Sequence, residues 1–249
     1  MSSVHRHKGF SLTEVLLAVG TLAIGMTFIA GTFLVGVHLS TVATERTIAA
    51  VVADEAFAKI QLYGLQVPFT FPTPREQVLY TDLSSMPVEE LAYPSTKIMA
   101  DKQYYWSALC MPINAALIGR PKDINFELNV VQVTVFISRK IGSASVIPEP
   151  VEVPVTSVIG IGNENKLTID NIDQQSFINA GSKIVDNSSG KIYRVVERDA
   201  VSQNTIILDV PWRKNGTSTE PITSSVWVVP PIGTGRNPCI AVYQREIRF

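Results

Sequence analysis

No charged residue occurs between Val15 and Val37. A helix over that run is roughly 35 Å long, enough to cross a bilayer core of about 30 Å. Behind it the apolar positions thin to a stripe: Val42, Ala49, Val52, Ala53, Ala56, Ile60 and Tyr63 recur near helical spacing. Asp54, Glu55 and Gln61 fall off the stripe, Arg46 and Lys59 flank it, and Glu45 is the exception on it. Glu55 and Lys59 form a favourable i,i+4 pair with the acid first. Gly64 supplies a C-terminal cap, and Pro68, the first proline of the chain, prevents resumption. The pattern predicts one helix over 10–63, with the uncharged apolar run inside 10–39 and an amphipathic part over 40–63, where it packs on a globular head.

The period then changes. Residues 64–104 are irregular and carry Pro68, Pro72, Pro74, Pro87 and Pro94. Tyr104–Cys110 and Asn125–Lys140 read as strands. In the second, Phe126, Leu128 and Val130 alternate in even register, and Val131, Val133, Val135 and Ile137 in odd register. That flip predicts either a β-bulge or a strand buried on both faces. Residues 143–158, with Pro148, Pro150 and Pro154, read as a linker. Short strands follow at Lys166–Asp170, Lys183–Asp186, Lys191–Glu197 and Thr205–Val210, with Asn187-Ser188-Ser189-Gly190 as a hairpin turn. This spacing predicts a small barrel or sandwich. Ser224–Val229 and Cys239–Ile247 read as a final hairpin that returns to the head sheet. The expected fold class is therefore α+β. A long N-terminal helix packs on an antiparallel sheet in a head over 64–142. After the linker come a small all-β unit over 159–222 and a C-terminal hairpin over 223–249.

The chain has 249 residues and a formal charge of −1, which gives no global electrostatic case for a nucleic-acid partner. Its histidines are His5, His7 and His38. None lies in the head, so no imidazole is there for a Ser-His-Asp or Cys-His arrangement or a His-based metal site. Gly160-Ile161-Gly162 lacks the third glycine of a dinucleotide loop, and no phosphate-binding loop motif occurs. Asp170-Asn171-Ile172-Asp173 has oxygen ligands without the spacing of a calcium loop. The expectation is a protein that is not an enzyme, with no cofactor, no metal and no small-molecule substrate.

The informative chemistry is at the start. His5, Arg6, His7 and Lys8 form a short basic leader, followed by Gly9, Phe10 and, at the threshold of the apolar run, Glu14. A carboxylate in hydrocarbon is costly, and no basic side chain lies within the next two helical turns. This stretch resembles the class III signal of type IV prepilins. The resemblance implies removal of leader residues 1–9 by a prepilin peptidase, with the cut between Gly9 and Phe10, and then methylation of the new Phe10 amine. It makes 10–39 a transmembrane and filament-core helix and gives Glu14 a partner, the positive N-terminus of a neighbouring subunit. Losing the leader removes Arg6 and Lys8 and leaves 19 basic against 22 acidic side chains. The run from Leu16 to Met26 looks most like minor pseudopilins and minor pilins of type II secretion systems and type IV pili. The implied partners are the peptidase, other pilin or pseudopilin subunits and the inner membrane, with basic Arg6 and Lys8 on the cytoplasmic side. Related pilins often carry proline where this chain has Gly31.

An extracytoplasmic head permits a disulfide between Cys110 and Cys239, the only cysteines; two buried thiols are the other reading. A rival to the assembly subunit is a membrane-anchored module that captures an external ligand with its β-rich unit.

Overall fold

The structure, a computed structural model, describes residues 11–66, 76–98, 101–113, 130–140, 147–158, 160, 162–212, 221–231 and 237–249. The chain divides into two compact units, Met1–Thr47 and Ile48–Phe249. The first consists, in its described part, of helix α1 (Leu12–Tyr63) up to Thr47. Gly20, Gly25, Gly31 and Gly36 are accommodated without a break, each with open space where a Cβ would stand. This α1 is the one helix among the described residues that is long and apolar enough to cross a membrane.

The second unit begins with the last turns of α1. Ala49, Val52, Ala53, Ala56, Phe57 and Ile60 are buried against a sheet, following the 3.6-residue period of the stripe. Tyr63 stays partly exposed, whereas Phe57 is buried. The helix stops where Gly64 turns to φ 66° and donates its N–H to the Ile60 carbonyl at 2.9 Å. Lys59 is buried in the same face. Its ammonium lies 2.9 Å from both the Glu55 and Glu90 carboxylates and also donates to the Glu90 carbonyl, so the charge enters the core already neutralised.

The sheet is antiparallel. Strand β3 (Tyr104–Pro112) pairs on one side with the short strands β1 (Val78–Leu79) and β2 (Ala92–Tyr93), and on the other with β4 (Val130–Arg139). The order ends with β11 (Cys239–Arg248) beside β4. A short helix, α2 (Tyr80–Leu83), and a 3-10 turn, Val88–Leu91, complete this part. Val131, Val133, Val135 and Ile137 face α1. Phe136, Thr134 and Ser138 are buried on the opposite face. The parity flip in β4 is thus double-sided burial: β3 and β4 pair without a register shift, and the shift falls instead in β11 between Cys239 and Ala241. Residues 125–129 of the expected strand lie outside the described residues.

The back of the sheet is covered by a closed six-stranded barrel. Its strands are β5 (Val151–Ser157), β6 (Lys166–Ile169), β7 (Lys183–Asp186), β8 (Ile192–Arg198), β9 (Thr205–Leu208) and β10 (Thr223–Val228). They close in the order β10-β5-β6-β9-β8-β7. Val153, Val155, Leu167, Ile169, Tyr193 and Val226 point inward, with Ile178 and Trp212 completing the core. The interior is packed with side chains, as expected of a barrel this small.

Two sequence expectations change. Within the presumed linker 143–158, Val151, Val153 and Val155 alternate as the first barrel strand. Pro154 is tolerated there because β6 ends at Ile169. Of the two bonds that residues 154 and 170 could exchange, the one needing no proline N–H is made, Asp170 N–H to the Pro154 carbonyl at 3.1 Å. The C-terminal hairpin 223–249 does not form either. Strand β10 pairs with β5 and β7 in the barrel, and β11 with β4 in the sheet. The α+β class with an added all-β unit stands, but β10 belongs to the barrel and only β11 returns to the head.

Candidate functional site

The N-terminal stretch is the candidate site. Gly9, Phe10, Arg6 and Lys8 lie outside the described residues. Glu14 lies within them, on the first turn of α1, and it has a local partner that the sequence reading did not assign. Its carboxylate accepts the Ser11 backbone N–H at 2.9 Å and the Ser11 hydroxyl at 3.1 Å. The Ser11 hydroxyl oxygen accepts the Glu14 backbone N–H at 3.3 Å. This reciprocal pair is a capping box: each side chain satisfies a backbone donor that the first helical turn leaves open. The Ser-x-x-Glu spacing of Ser11 and Glu14 was the available signal. The carboxylate also sits at the positive end of the helix dipole.

Beyond it, every described residue from Leu12 to Thr41 is exposed, including Leu16, Leu22, Phe28, Phe33 and Leu34. The hydroxyls of Thr21, Thr27, Thr32 and Thr41 fold back onto carbonyls three or four residues earlier. They thereby remove their own polarity from an apolar surface. The segment is apolar all round its axis, the composition of a helix that lies inside lipid or among other apolar helices.

The second unit holds a buried polar seam. The β7–β8 turn, Asn187–Gly190, inserts against the back of the head sheet. The Asn187 side-chain carbonyl accepts the Gln77 backbone N–H and the Trp227 indole N–H, both at 2.9 Å. The Asn187 amide donates to the Glu152 carboxylate at 3.2 Å. The Gly190 carbonyl accepts the Gln244 side-chain amide. Gly190 has φ 69°, and a Cβ there would meet the Gln132 side-chain oxygen at 2.7 Å, so this position takes glycine for two reasons. The seam joins barrel to sheet. No group of three or more His, Cys, Asp or Glu side chains that could hold a metal occurs among the described residues.

The cysteines are not brought together; both are free. Cys110 stands opposite Val133 on β4, and Cys239 opposite Ser138. Two strand spacings and five residues of rise separate them by about 10 Å across and about 17 Å along. A bridge needs Cα atoms within about 7 Å. They also lie on opposite faces, Cys110 under α1 and Cys239 toward the barrel. Burial pushes the Cys239 thiol up to about 12 against the opposing pull of the Lys183 ammonium, and raises Cys110 as well.

Comparison with protein-family models, with curated proteins and with solved structures finds no match for this chain.

Proposed function

We propose that this chain is a minor pilin or pseudopilin subunit, cleaved between Gly9 and Phe10, methylated on Phe10, and assembled into a type II secretion pseudopilus or a type IV pilus. Before assembly it is held in the inner membrane by the apolar part of α1, with the leader in the cytoplasm and the head outside. Its work is assembly and recognition, without catalysis. The observation that supports this reading best is a carboxylate, Glu14, at the entrance of a helix that is otherwise apolar and exposed on all sides from Leu12 to Val37. Such a surface calls for an apolar surround, and such a charge calls for a partner within it.

Processing tests the reading. The intact mass of the membrane-extracted protein should correspond to a chain beginning at methylated Phe10, and Gly9→Leu should retain residues 1–9. A wild-type chain that keeps its leader in its own cells, or a Gly9→Leu chain that loses it normally, contradicts the proposal.

A further inference from the structure

We draw no further inference here: the strongest candidate, the outer edge of β11 in the head sheet, which pairs only with β4 among the described residues and exposes Glu246 and Arg248 two positions apart, matches a second copy in the antiparallel register centred on Ile247 as well as it matches any other strand, and nothing in the structure shows what covers it.

Discussion

The two parts of α1 are the same secondary structure under opposite conditions. From Leu12 to Thr41 every residue is exposed, with Phe33 and Leu34 each at 70%. From Ile48 onward the helix alternates: Val52, Ala56 and Ile60 are fully buried, while Asp54, Ala58 and Gln61 are exposed. The difference lies in the distribution of apolar residues around the axis. A stripe can be satisfied by the protein's own sheet, whereas an apolar cylinder can be satisfied only by a surround that is apolar on all sides. The part from Ile48 onward is thus folded by its head, and the part from Leu12 to Thr41 belongs to a helix long and apolar enough to cross a membrane. One continuous helix serves both because its backbone hydrogen bonds are internal and indifferent to what lies outside.

Substitutions should separate these parts. The largest effect is expected from Ile60→Ala, which opens a cavity in the core between α1 and the head sheet and should cost about 2–5 kcal/mol of head stability. Leu34→Ala should leave head unfolding within about 0.5 kcal/mol of wild type. Chemical denaturation of the full chain in detergent, followed by tryptophan fluorescence, measures both. Equal losses would show that the part from Leu12 to Thr41 also supports the head.

Gly190→Ala comes next. It strains a positive-φ position and drives a methyl into the Gln132 side chain, and should cost roughly 1–3 kcal/mol at the barrel-facing side of the sheet. The helix-facing side should be untouched.

The smallest effect in wild type, and the one that resolves the two sides, comes from the cysteines. With Cys239 raised to about 12 and Cys110 raised too, the folded chain should resist alkylation at pH 8 and react at both only after unfolding. Because both thiols are harder to ionise when folded, their contribution to stability is intact below about pH 9 and is lost as pH rises further. Mass mapping of alkylation in the variants should find Cys110 first in Ile60→Ala and Cys239 first in Gly190→Ala. The reverse order would contradict the placement of the two thiols on opposite faces.

Local signals were the legible ones. The helix end at Gly64, the Asn187–Gly190 turn and the short strands could be read because caps, turns and alternation act within a few residues. Strand β5 was hidden by Pro154, whose lack of a donor is harmless only because β6 stops beside it. The partners of β10 and β11 were hidden because pairing is decided by non-local burial. Val226 and Val228 fill a barrel, while Ala241 and Ile247 fill the helix-facing core. Lys59 looked like a flanking residue, since its second carboxylate, Glu90, lies 31 positions away. At the candidate site, Gly9 and Phe10 are read from sequence alone, and Glu14 gained a role as helix cap that its sequence spacing already contained.

That added role divides the central claim cleanly. Glu14→Gln keeps the capping box, because Gln at the same helical position can accept the Ser11 N–H, but it removes the charge. If Glu14 registers the subunit by neutralising the Phe10 amine of a neighbour, Glu14→Gln should be cleaved and membrane-held like wild type. It should nevertheless fail to co-purify with partner pilins. The decisive measurement is that co-purification, beside intact mass and membrane fractionation of the same sample. Loss of partners with processing intact is the predicted result. Assembly at the wild-type level would make Glu14 a helix cap and nothing more, and would contradict the account.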